Sequence, residues 1–187
     1  LAFSNDKDHP LLAVGSSDNK ITLRRANDGG LVVELAEHTS GVRDVLFSPD
    51  GKRLFSASYD GTLRFWTIPN LKADHVIDGF SSPIESVSFS PDGSGLAAGM
   101  FDNSVRVWSV ATGTQSQVLL GHTKPVNSVA YSPDGASLVS VSDDFKTMVW
   151  KTSDGSLMRS TGGHTAEVLT VAFSPDSTMT VTGSKDE

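Results

Sequence analysis

The sequence predicts an all-β repeat protein built from four-stranded antiparallel units. Three observations predict it: a 42-residue period, short β-branched and aromatic segments within each period, and a Ser-Pro-Asp-Gly turn that punctuates them. Phe47-Ser48-Pro49-Asp50-Gly51 returns at Phe89 to Gly93, at Tyr131 to Gly135, and as Phe173-Ser174-Pro175-Asp176, each time after 42 residues. Trp66, Trp108 and Trp150 keep the same step, as do Asp18, Asp60, Asp102, Asp144 and Asp186. So do His38, His122 and His164, with Phe80 at the position the series skips. Phe3-Ser4-Asn5-Asp6 is a looser, earlier copy, displaced by two inserted residues, and from Asp18 onward nothing interrupts the period. The approximate copies are 1–37, 38–79, 80–121, 122–163 and an incomplete 164–187.

The third copy gives the elements in order. Ile84 to Phe89 is rich in β-branched and aromatic residues and reads as a strand. Serine first, proline second and glycine fourth suit a type I turn at Ser90 to Gly93. A second strand is expected over Gly95 to Met100, and Asp102-Asn103 turns the chain. Ser104 to Trp108 alternates an outward Arg106 with apolar neighbours, the period of a half-buried strand. Ala111-Thr112-Gly113 turns again, and Ser116 to Leu120 is the fourth strand. The Gly29-Gly30 pair is a strand-to-strand turn in the first copy. No ten-residue stretch carries helical periodicity. A four-stranded sheet with two apolar faces cannot bury both alone, so copies must stack face against face around an axis. Four strands per copy and a period of about 40–45 residues point to the blades of a β-propeller, here an open arc of about four and a half.

Composition limits the partners. The 187-residue chain is 37% hydrophobic and 20% charged, with a formal charge of −7 and a pI near 5.1. It has no basic stripe to track a phosphate backbone and no polybasic cluster for an anionic membrane surface. With no cysteine, it has no disulfide, thiolate or Cys-based zinc chemistry, and a cytoplasmic setting is expected. No apolar stretch approaches the ~20 residues that span a bilayer, and no signal-peptide pattern opens the chain. The chain starts at Leu1 and stops inside a repeat. The expectation is a piece of something longer, with the missing blades supplied by the same longer chain or by self-association.

These residues resemble the WD-repeat family of β-propellers. The resemblance covers essentially the whole chain and rests on Gly121-His122, a strand ending in Tyr131-Ser132-Pro133-Asp134-Gly135, then Asp144 and Trp150. There are departures: Thr67, Ser109 and Lys151 stand where the family has aspartate after the tryptophan, Arg24 replaces the first tryptophan, and Phe80 replaces a histidine. The resemblance implies a structural tetrad in each blade. In the second copy it is His38, Ser56, Asp60 and Trp66; in the fourth it is His122, Ser140, Asp144 and Trp150. The fifth has His164, Thr182 and Asp186, and the third is broken by Phe80 and Ala98. Ser58 and Ser142, two residues before the aspartate, compete for the serine position.

Ser, His and Asp together also suggest a hydrolase. A catalytic triad occurs once beside an oxyanion hole, whereas this trio recurs with the period and no Gly-x-Ser-x-Gly elbow exists. Asp143-Asp144 and Asp50-Gly51 lack the spaced ligands of a calcium loop. There is no phosphate loop and no dinucleotide fingerprint, so neither metal nor cofactor is expected. His9 and His75 lie off the repeat and are expected at the surface. What remains is the surface that the resemblance places at the narrow end of the propeller. One set of positions precedes the turn aspartate: Ser17, Tyr59, Phe101, Asp143 and Lys185. Another opens the innermost strand: Gly41, Arg43, Pro83, Glu85, Pro125, Asn127, Glu167 and Leu169. These positions vary between copies while the framework repeats. Tyr59 and Phe101, equivalent in adjacent copies, are expected near one another. The expected function is non-catalytic: a scaffold for a protein or peptide within a larger assembly. The uniform repeats also resemble the sensor propellers of multidomain signalling NTPases and kinases. An enzyme site in the central funnel would need convergent acids, and only Glu85 and Glu167 are available there.

Overall fold

The structure, a computed structural model, describes residues 1–187 except Pro69, residues 79–81 and Glu187, and describes residues 72–75 by their backbone only. The expectations for Phe80 and for the His75 side chain therefore lie outside the described residues; His9 is exposed. The chain divides into two compact units, Leu1–Ile84 and Glu85–Glu187.

The first unit contains two antiparallel meanders. One joins β1 (Ala2–Phe3), β2 (Leu11–Gly15), β3 (Ile21–Arg25) and β4 (Leu31–Leu35). The other joins β5 (Val42–Phe47), β6 (Arg53–Ser58), β7 (Leu63–Thr67) and β8 (Lys72–Ile77). They share a core in which Ala13, Ile21, Leu23 and Leu35 meet Val42, Val45, Leu54 and Trp66.

The second unit repeats the pattern. β9 (Ile84–Phe89), β10 (Gly95–Met100), β11 (Val105–Ser109) and β12 (Gln115–Leu119) form one sheet. β13 (Val126–Tyr131), β14 (Ser137–Ser142), β15 (Thr147–Lys151) and β16 (Leu157–Thr161) form the next, and β17 (Val168–Phe173) pairs with β18 (Thr180–Ser184). Ala97, Val105 and Leu119 pack on Val126, Val129 and Met148, and farther along Val139 and Val141 pack on Val168 and Val171. Among the described residues there is no helix.

The burial pattern follows from the meander. In the second, third and fourth blades the second strand is covered on both faces, so β6, β10 and β14 are buried over five of their six residues. Their sequences accordingly run apolar or small without alternation. The outermost strands β12 and β16 are largely exposed.

The turn chemistry explains the punctuation. Gly51 N–H donates to Ser48 O at 2.9 Å, and the Ser48 hydroxyl donates to Asp50 Oδ1 at 2.6 Å. Gly51, Gly93 and Gly135 sit at φ of 69°, 72° and 73°, where a side chain is costly; Ser177 takes that position at 62° in the last copy. Two strands lie one residue later or earlier than the sequence predicts. Ser104 is spent on Asp102, its N–H donating to Oδ1 at 3.1 Å, so pairing begins at Val105. At the other end a register shift at Val107/Trp108 and the bond from Ser109 N–H to Thr114 O at 2.9 Å carry β11 to Ser109 and bring β12 forward to Gln115.

Candidate functional site

Two blades contain a buried polar chain, and the fifth has a shorter, partly exposed one. In the second blade the indole N–H of Trp66 donates to Ser56 Oγ at 3.1 Å, and Ser56 Oγ lies 2.7 Å from His38 Nε2. His38 Nδ1 is 2.8 Å from Asp60 Oδ2, and Asp60 also accepts the N–H groups of Thr39 and Thr62, each at 2.9 Å. The fourth blade repeats it: Trp150 to Ser140 at 2.8 Å, Ser140 to His122 at 2.8 Å, and His122 to Asp144 at 2.9 Å. In the fifth, Thr182 Oγ1 is 2.8 Å from His164 Nε2, and His164 Nδ1 is 2.9 Å from Asp186. Ser58 and Ser142 do other work: their hydroxyls donate to Ser40 O and Lys124 O and accept the N–H of Asp60 and Asp144.

Burial pushes His38 and His122 below the ordinary histidine value, against the pull of their aspartates. A neutral ring then donates from Nδ1 to the carboxylate and accepts at Nε2 from the serine hydroxyl, and every group in the chain has one direction. Burial also pushes Asp60 and Asp144 up, but their hydrogen bonds outweigh it and both stay below the usual carboxylate range. Ser56 and Ser140 are 0% exposed, and each Oγ is capped by an indole N–H. A reacting carbonyl must come within about 3–3.5 Å of a nucleophile, which this cover prevents. The chain instead ties the inner-strand entry, second strand, turn and third strand of one blade together.

The third blade is wired differently. Ala98 cannot bond, and Arg106 Nη2 reaches Asp102 Oδ2 at 2.7 Å. Sequence reasoning missed this pair, although Arg106 lies four residues after the aspartate on an alternating strand. In the first blade Arg24, at the tryptophan position, donates to Gly29 O at 2.9 Å.

The exposed candidates are organised by a recurring bulge. Val42 pairs with Ser58 and Asp44 with Ala57, leaving Arg43 as the extra residue. Asn127 and Leu169 are the extra residues in β13 and β17. A bulge re-aims a side chain at a strand end. The residue before the turn aspartate is tied beside it by its own amide: Tyr59 N–H to Gly41 O at 3.0 Å, Asp143 to Pro125 O at 3.1 Å, Lys185 to Glu167 O at 3.1 Å.

The side chains of the two sets then meet in the second, fourth and fifth blades. The Arg43 guanidinium lies 5.0 Å from the centre of the Tyr59 ring. Asn127 Nδ2 donates to Asp143 Oδ1 at 2.6 Å and to Val168 O at 2.9 Å. Lys185 Nζ stands 3.9 Å from Glu167 Oε1. Tyr59 is 42% exposed, Phe101 54% and Leu169 44%; Glu85 is half-buried as the second residue of β9. Tyr59 belongs to the first unit and Phe101 to the second. In the first unit Arg43 and Tyr59 border a cleft of about 450 Å³ with Ser17, Asn19 and Gly41. Among the described residues no three His, Asp or Glu side chains gather as a metal site.

Four-stranded meanders repeated along the chain, with bulged inner strands at β5, β13 and β17 and a buried Trp–Ser–His–Asp chain in the second and fourth copies, define a β-propeller built from repeated blades. The profile of the family described as "WD domain, G-beta repeat" matches residues 29–67, 72–109, 113–151 and 155–187, and the chain belongs to that family. Its frame ends just past the tryptophan. The chain is 43% identical over 67 residues to WD repeat and SOCS box-containing protein 1 of Xenopus tropicalis, covering 35% of this chain and 16% of that protein. It is 38% identical over 65 residues to Periodic tryptophan protein 2 of Arabidopsis thaliana, covering 35% and 7%. It is 45% identical over 58 residues to Nuclear distribution protein PAC1 of Arthroderma benhamiae, covering 31% and 13%. The matched stretch thus spans less than a fifth of each relative. Repeats of this family serve in general as non-catalytic scaffolds for protein–protein interaction.

Proposed function

We propose that the chain is a non-catalytic scaffold whose bulged inner-strand face binds a protein or peptide within a larger assembly. One observation carries the reading. The bulge recurs with the framework, yet the side chains it aims outward differ in each copy: Arg43 with Tyr59, Asn127 with Asp143, Leu169 with Lys185. A position that repeats in backbone and varies in chemistry is released from the needs of the fold. Exposed aromatics beside arginine are the residues that binding hot spots use, and a chain of charge −7 suits a polypeptide better than a polyanion.

The test selects peptides from a displayed random library on the whole chain and measures their affinity for a Tyr59→Ala, Phe101→Ala double variant. The expected outcome is at least a tenfold loss, about 1.4 kcal/mol, with an unchanged melting midpoint. Unchanged affinity for peptides that bind the parent chain removes this face from the account.

A further inference from the structure

A second recess lies in the other unit, between the third and fourth blades, at the ends of β9 and β13 from which the chain turns into β10 and β14. It encloses about 530 Å³ against the turns that follow β9 and β13. Its space comes from departures from the repeat. Gly95 stands where the flanking copies carry Arg53 and Ser137. A side-chain carbon at position 95 would lie 3.1 Å from the Tyr131 hydroxyl and 3.3 Å from Ser90 Oγ. Tyr131 is itself a departure, since Phe47, Phe89 and Phe173 occupy that position in the other copies. One copy has thus lost a side chain, and its neighbour has gained a hydroxyl directed at the vacated space.

The same departures set the charge. Ser94, Ser109 and Gln117 line the recess where other copies carry Lys52, Lys151 and Arg159. The lining includes Asp92 and Asp134 and no lysine, arginine or histidine. Hydrogen bonds from Ser90 and Ser94 hold Asp92 below the usual carboxylate range, and those from Ser132 and Ala136 do the same for Asp134. Burial and the Asp92 charge push the Tyr131 phenol up to about 12, so it keeps its proton and offers an oxygen lone pair. Gln117 spends its Nε2 donor on Thr152 O at 3.0 Å and keeps its carbonyl oxygen as an acceptor. The recess therefore combines two carboxylates, a phenol oxygen and a carboxamide oxygen, with Trp108 in its lining.

We propose that this recess is a second binding site and takes the cationic side chain, guanidinium or ammonium, of an arginine or lysine on a partner polypeptide. The site is separate from the bulged face and stands or falls without it. Charge complementarity selects the occupant: every positive side chain the repeat places here elsewhere is missing, and a partner's cation replaces it.

The test titrates the 187-residue chain with N-acetyl-arginine amide and with its neutral isostere N-acetyl-citrulline amide, following the Trp108 indole and Gln117 carboxamide signals by NMR. The arginine derivative is expected to give saturable shifts at both groups and the citrulline derivative about tenfold weaker binding, the loss of charge-assisted hydrogen bonds. Tyr131→Phe restores the residue of the other copies and so keeps the fold; it should weaken binding about tenfold by removing one bond to a charged group. Gly95→Ser copies the next blade and should abolish the shifts by filling the space. Equal binding of citrulline, shifts scattered over other surface carboxylates, or unchanged affinity in Tyr131→Phe would each overturn the assignment.

Discussion

Removing one hydroxyl from the buried chain of the fourth blade should cost far more than a hydroxyl on the surface. Ser140→Ala deletes the acceptor of the Trp150 indole N–H, 2.8 Å away, and the donor to His122 Nε2, also 2.8 Å away. Trp150 is 2% exposed and His122 7%, so water does not replace either bond. A buried polar group left without its partner costs about 1–3 kcal/mol, and two are orphaned here, so the loss should be about 2–6 kcal/mol. Urea denaturation followed by far-UV circular dichroism gives the magnitude. Adding Trp150→Phe removes one orphan, so the double variant should lose less than the sum of the single variants, the mark of coupled groups. A Ser140→Ala cost below about 0.5 kcal/mol, the range of ordinary surface substitutions, would refute the reasoning.

Two further outcomes follow from the same geometry. Burial holds His38 and His122 below their ordinary value of 6.5, so the unfolded chain takes up these protons first as pH falls. Stability should be complete above about pH 6.5 and decline below it, with a further decline below about pH 4, where Asp60 and Asp144 are protonated in the unfolded chain but still ionised in the folded one. A denaturation midpoint that stays flat from about pH 7.5 to about pH 5.5 would contradict the neutral buried imidazoles. Phe145 sits at φ 69°, where the other copies place Asn19, Gly61 and Asn103 at 72°, 73° and 74°. Phe145→Asn should relieve about 1 kcal/mol of backbone strain and lose about 0.5 kcal/mol from the Lys124 contact to the ring, raising the melting midpoint by about 1–2 °C. A marked drop in that midpoint would show that the ring's packing outweighs the strain.

The strands and their order could be read from the sequence because burial repeats with the period. β6, β10 and β14 read as unbroken apolar or small runs because both of their faces are covered. The limits of β11 and β12 could not be read so closely. They depend on Ser104 being captured by Asp102 and on a slip in pairing at Trp108, neither of which periodicity encodes. The bulges at Arg43, Asn127 and Leu169 are likewise a property of two strands together, and a single strand's alternation does not announce them. Spacing put His38, Ser56, Asp60 and Trp66 in one copy, but which serine meets the ring is a matter of distance that two candidate positions leave open. Arg106 was passed over because an alternating strand explained it already. Its bond to Asp102 appears only when Ala98 is seen to leave the aspartate without the serine and histidine wiring of the second and fourth blades.

The central claim is that the variable face at the start of the inner strands, not the buried Ser–His–Asp chains, meets the partner. Hydrogen exchange with and without a library-selected peptide tests it most directly. The account predicts new protection at Gly41 to Arg43 with Tyr59, at Pro125 to Asn127 with Asp143, and at Phe101. Protection confined to the outermost strands β4, β12 and β16, with those positions unchanged, would contradict it.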